Sequence, residues 1–120
     1  MPVALLLLAA MTSVFAHGDW KPKHGGAMNE GGETSFELVV QQRKLVFYLE
    51  DHGEAIATAG ATGTLSVERG TAKHVAPLKA RAGNQIEALA PIKLAAGDRL
   101  MAKVTLGNGS IVVGRFVIAK

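Results

Sequence analysis

Arg99-Leu100-Met101-Ala102-Lys103-Val104-Thr105-Leu106-Gly107-Asn108-Gly109-Ser110-Ile111-Val112-Val113 decides the fold. Leu100, Ala102, Val104 and Leu106 fall on one side of an extended chain, and Arg99, Met101, Lys103 and Thr105 on the other. That period of two belongs to a half-buried strand. Asn108-Gly109 then stands between two such runs, and Asn-Gly supplies the positive φ angles of a tight hairpin turn. Ile111–Ala119 is the returning strand. Asn108-Gly109-Ser110 also spells a glycosylation sequon, but the turn accounts for it.

Working outward, Thr34–Val40 places Phe36, Leu38 and Val40 on one face. Lys44–Glu50 alternates Leu45, Phe47 and Leu49 against Val46, Tyr48 and Glu50. With the polar turn Gln41–Lys44 between them, these two form a second hairpin. Thr64–Glu68 points Leu65 and Val67 inward. Thr71–Ala80 reads as an edge strand, because Pro77 has no N–H to give a neighbour. Gln85–Ala90 places Ile86 and Ala88 on one face. Arg81–Asn84 and Leu94–Asp98 are turns, and Ala55–Gly63 is too rich in small residues to predict more than a weak strand. The pattern is about seven strands with a turn every 8–12 residues or so, and no sustained helical period. It predicts an all-β protein, an antiparallel two-sheet sandwich that is immunoglobulin-like in the loose sense, with a small barrel as the alternative. The sandwich takes residues 34–120. Its core must come from aliphatic residues, with Phe36, Phe47 and Phe116 as the bulky members.

The 120 residues suit one domain. With 48% hydrophobic and 19% charged residues the chain falls in the globular rather than the disordered class. A formal charge of +3, with lysine and arginine scattered, does not make a nucleic-acid surface, so no nucleic-acid partner is expected. The chain has no cysteine, which excludes disulfides, thiolate metal sites and cysteine nucleophiles. No phosphate loop, HExxH pair or nucleophile elbow is present, so the expectation is a protein that is not an enzyme.

Met1–Ala16 (MPVALLLLAAMTSVFA) is uncharged and apolar, and ends on small residues at the positions a signal peptidase reads. It is shorter than the ~20 residues of a spanning helix. It predicts a signal peptide over residues 1–16, a periplasmic or secreted destination, and no stable membrane insertion after cleavage.

Cleavage after Ala16 has a chemical consequence. His17 would then carry a free α-amine beside its imidazole, and the two nitrogens close a chelate ring on one metal ion. A second imidazole completes three nitrogens in the tetragonal arrangement Cu(II) prefers. The α-amine, with an ordinary pKa of roughly 7.7–8.0, must shed its proton to bind. Residues 17–33 form a glycine-rich arm holding His17, Asp19 and His24. The candidate metal ligands are His17 as the bidentate anchor, His24 or His52 as the third nitrogen, and Asp19 as an auxiliary oxygen. Copper as Cu(II) is favoured, with another divalent metal as the alternative. His52 sits in the turn Asp51-His52-Gly53-Glu54, where binding residues are often found. His74 reads as a solvated histidine, and Met28 as a packing residue or a soft ligand for Cu(I).

His24-Gly25-Gly26, Phe36-Glu37-Leu38-Val39-Val40, Tyr48-Leu49-Glu50-Asp51-His52-Gly53 and Thr58-Ala59-Gly60-Ala61-Thr62-Gly63 together resemble a small periplasmic heavy-metal resistance module. Similar stretches occur in the adaptor (membrane-fusion) subunits of heavy-metal efflux pumps and in small secreted proteins encoded beside them. The resemblance covers about Lys23–Glu68. It implies a periplasmic role with copper or a related metal, and efflux-pump adaptor components as partners. A weaker resemblance, limited to His17 and the expected fold, is to CopC-like copper carriers. The function expected is therefore buffering or delivery of a metal ion in resistance or efflux. The rival is a metal-independent interaction module of an efflux complex.

Overall fold

A computed structural model describes residues 21–89 and 92–119. Every regular element among them is a strand: β1 (Ala27–Met28), β2 (Thr34–Gln41), β3 (Lys44–Asp51), β4 (Glu54–Ala55), β5 (Thr62–Arg69), β6 (Ala72–Ala80), β7 (Gln85–Ala88), β8 (Arg99–Thr105) and β9 (Ile111–Val117). All neighbours are antiparallel, in the order β9-β8-β5-β6-β7-β3-β2-β1, with β4 beside β3.

The period-two reading locates the strands well. In β8 Leu100, Ala102 and Val104 are buried, and in β5 so are Leu65 and Val67. The Asn108-Gly109 segment joins β8 to β9 as expected, with Ile111 opposite Thr105, but through a longer loop than a two-residue turn, closed by Leu106 N–H to Ser110 O at 2.8 Å, and with Asn108 outside the positive-φ region. Asn108 Oδ1 accepts from the Ser110 N–H at 2.9 Å, and Gly109 takes φ 92°. The β3–β4 connection is a two-residue turn whose His52 and Gly53 both have positive φ, 52° and 84°, which suits the twist of the strands it joins.

The two-sheet, immunoglobulin-like arrangement is not what forms. The strands lie on one hydrogen-bonded path, and the link is the four-residue β7. It pairs with β3 through Val46↔Glu87, Phe47↔Ile86 and Tyr48↔Gln85, and with β6 through Leu78↔Ala88, Lys79↔Glu87 and Ala80↔Ile86. A sandwich would leave this join unmade. The sheet then curls until β9 comes back against β2. Gly114 permits the approach, because a Cβ there would stand 2.5 Å from Cγ of Phe36. β1 fills part of the remaining seam. Ala27 and Met28 pair with Leu38 and Glu37 of β2, while the next turn reaches the other bank through Glu30 N–H to Arg115 O at 2.7 Å. The result is a nearly closed sheet wrapped around one core.

β6 is an internal strand for much of its length, not the expected edge. It pairs with β5 along Ala72–Lys79. Pro77 still limits its other side. In an extended residue N–H and C=O point the same way, and Pro77 O accepts from the Leu89 N–H at 3.1 Å. The missing donor of Pro77 therefore faces β7, and that pairing stops there.

Phe36, Phe47 and Phe116 are all buried, as expected. Phe47 meets Phe36 edge-on at 6.4 Å and Phe116 at 5.7 Å. Full burial of each such ring contributes roughly 1.5–3 kcal/mol. Val40 departs from expectation at 63% exposure although its register partner Leu45 is buried, because β1 pairs β2 only at Glu37 and Leu38 and leaves Val40 on the open seam.

Candidate functional site

The outer face of β2 and β3 carries the one buried acid of that hairpin. Glu37 and Tyr48 are register partners, so their side chains leave the sheet on the same side. The chain before β1 folds over them. Glu37 Oε1 accepts from the Lys23 N–H at 2.9 Å, and Oε2 from the His24 and Gly26 N–H groups at 2.8 Å each. His24 Nδ1 lies 3.0 Å from Oε1. The His24 ring stacks on Tyr48 with centroids 3.7 Å apart and planes 11° from parallel. Gly26 has to be glycine here, since a Cβ would lie 2.3 Å from Leu38 O.

Burial by itself would push the Glu37 carboxyl up. The His24 ring bond and the N–H groups of Lys23, Gly26 and His24 outweigh it, and the carboxyl is held below its ordinary value. Glu37 is thus ionised at neutral pH and can only accept. Nδ1 of His24 must carry the shared proton, and in the neutral ring Nε2 keeps its lone pair. Among the described residues nothing hydrogen-bonds to Nε2, and the side chain is 40% exposed. Nearby, Lys23 Nζ reaches Glu50 at 2.9 Å and Gly53 O at 3.5 Å.

His52 stands at the exposed tip of the β3–β4 turn with Nδ1 2.6 Å from Asp51 Oδ1. Its position is well explained by the turn. Among the described residues no group of three or more His, Asp or Glu side chains is arranged to hold a metal ion. His24 and His52 therefore do not form a centre with the carboxylates around them. His17 and Asp19 lie outside the described residues. Met28 lies in β1, partly buried.

A second buried carboxylate lies elsewhere on the curled sheet. Asp98 is fully buried and takes Arg69 in a two-pronged bond, Nε to Oδ1 and Nη2 to Oδ2, both 2.7 Å. Oδ2 also accepts from the Ala95 N–H at 2.8 Å, and Arg69 Nη2 reaches Lys93 O at 3.0 Å. The Arg69 bond first, and the Ala95 N–H after it, outweigh burial and hold the Asp98 carboxyl at about 2. This clamp ties the Ile92–Asp98 connection to the end of β5.

Sequence reasoning passed over both acids. Glu37 carried a signal, since it interrupts the apolar run Phe36–Val40 beside a His-Gly-Gly stretch that can reach it. Asp98 carried none beyond its place in a turn. No protein family, curated protein or solved structure matches this chain.

Proposed function

We propose that this protein is a non-enzymatic metal carrier of the periplasm or the secreted space, most suited to Cu(II), that buffers the ion or passes it to an efflux system. The observation that carries the reading is the state of His24. A metal-binding imidazole generally donates its other N–H to a carboxylate, which fixes tautomer and ring direction. His24 has that arrangement before any ion is added, with Glu37 on Nδ1 and Tyr48 against the ring face. Its Nε2 is the third nitrogen of the proposed site. The α-amine and imidazole of His17, exposed by cleavage after Ala16, are the other two, with Asp19 as an auxiliary oxygen. His52 is the weaker choice for the third position, because its side chain is 88% exposed at the tip of a turn.

The test is a Cu(II) titration of processed protein whose start at His17 has been checked by intact mass, read by d–d absorption and EPR. Wild type is expected to bind one equivalent, and His17→Ala to lose the chelate. Glu37→Gln is expected to weaken binding by about 10–100-fold through loss of the imidazole's orientation. Cupric ion left wholly free in dialysis against this material would end the proposal.

An interaction module of an efflux complex is the second reading, and it has an observation of its own. Where β1 stops short of filling the seam, an apolar groove of about 1080 Å³ opens, lined by Met28, Val39, Val40, Leu94, Val117 and Ile118. Capture of efflux-pump adaptor components by this protein, unchanged by chelator and weakened by Val40→Asp, would favour it over the carrier.

A further inference from the structure

The inner face of β5 and β6 changes character towards one end. Partners in an antiparallel ladder share a face, so Leu65 lies with Ala76, Val67 with His74, and Arg69 with Ala72. Leu65, Ala76 and Val67 are core residues. The next positions on the same face are His74 and Arg69, both exposed. A row that is apolar inside thus turns basic at its mouth. There a concavity of about 440 Å³ is lined by Val67, Arg69, Ala72, Lys73, His74, Ile92 and Lys93.

The charges in this hollow are unbalanced. Among the described residues Asp98 is the one acid bonded to it, and it occupies Nε and Nη2 of Arg69. Lys73 reaches the rim through its backbone only, because it pairs with Glu68 in the ladder and its side chain leaves the sheet on the opposite face. Lys93 has no ion-pair partner among the described residues. Arg69 is also held still. Its two-pronged bond to a fully buried acid fixes the guanidinium plane, so a ligand meeting it finds a preset donor.

We propose that this mouth binds a small organic anion, with its phosphate or carboxylate group among Arg69, His74 and Lys93 and its apolar part against Val67, Ala72 and Ile92. A concave site with an apolar floor and a few convergent charged groups is the usual form of a small-molecule site. The proposal is independent of the metal reading, since it shares no residue with it.

Two-dimensional amide NMR on the full chain tests it, with phenyl phosphate and inorganic phosphate as probes and sodium chloride at matched ionic strength as the control. Phenyl phosphate is expected to give saturable shifts centred on Arg69, His74 and Lys93, with tighter binding than inorganic phosphate. The double variant His74→Gln, Lys93→Gln changes two exposed side chains of the mouth and leaves the Arg69–Asp98 clamp in place. It is expected to weaken phenyl phosphate by about tenfold or more with unchanged thermal unfolding. Shifts no larger than those from chloride, equal affinity for the two phosphates, or full binding by the double variant would each overturn the proposal.

Discussion

Glu37 and Asp98 are both buried carboxylates on the same curled sheet, yet they do opposite things with their surroundings. Asp98 meets a guanidinium and a backbone N–H, and every partner is spent on holding the Ile92–Asp98 connection to β5. Glu37 meets three backbone N–H groups and one imidazole. It holds the segment before β1 in place, but its imidazole partner has a second nitrogen left over. A carboxylate satisfied by arginine is a structural lock. One satisfied by histidine is a lock that also presents a ligand.

The sharpest way to break the comparison is to remove the acids one at a time. Asp98→Ala leaves Arg69 without its partner and frees the Ile92–Asp98 connection from β5, so it is expected to be the more damaging change in chemical denaturation. Its contribution also has a pH signature. The folded carboxyl is depressed to about 2 from an ordinary 3.8. The stabilisation is therefore complete above the ordinary value and is lost as pH falls through the folded one. The stability gap between wild type and Asp98→Asn should be constant above about pH 5 and shrink between roughly pH 4 and 2. A gap that stays constant down to pH 2 would deny Asp98 its role as an ionised lock.

Glu37→Ala is the next largest. Charge-assisted bonds of this kind contribute about 1.5–3 kcal/mol when lost, and the damage should be local. Hydrogen exchange at His24 and Gly26 is expected to accelerate strongly while the amides of β5 and β8 keep their protection. Uniform acceleration across the sheet would mean that Glu37 supports the whole fold. Gly26→Ala tests the same segment from the backbone side. Its added Cβ must move away from Leu38 O, which costs about 1–3 kcal/mol if the sheet does not relax. The expected local readout is loss of the ring-current shifts that His24 and Tyr48 impose on one another.

The strands were legible because alternation is a local property. Each of Leu65, Phe47 and Val104 announces its face through its neighbours two residues away. Closure of the sheet was not legible, because it depends on Gly114 leaving room for Phe36 and on four residues of β7 joining β3 to β6. Periodicity carries no information about which edges meet. The candidate site was half legible. His24 could be named, since histidine beside glycines invites a ligand reading. The acid that orients it sat in the middle of a strand, and its burial comes from a segment folding over it from outside the sandwich boundary. His74 read as a solvated residue and is exposed, and the register with Val67 adds that it continues the inner face.

The seam between Gly114 and Phe36 bears on the order in which the molecule comes together. The β2–β3, β5–β6 and β8–β9 hairpins each join neighbours along the chain and can form on their own. The contact of β9 with β2 joins opposite ends of the domain, and such distant pairings are entropically slow to make. Closure is therefore expected late, after the hairpins. In stopped-flow measurements a Phe36→Leu variant should unfold faster while refolding at nearly the wild-type rate. The glycine that lets the two edges meet would then govern how long the finished protein lasts more than how quickly it is made.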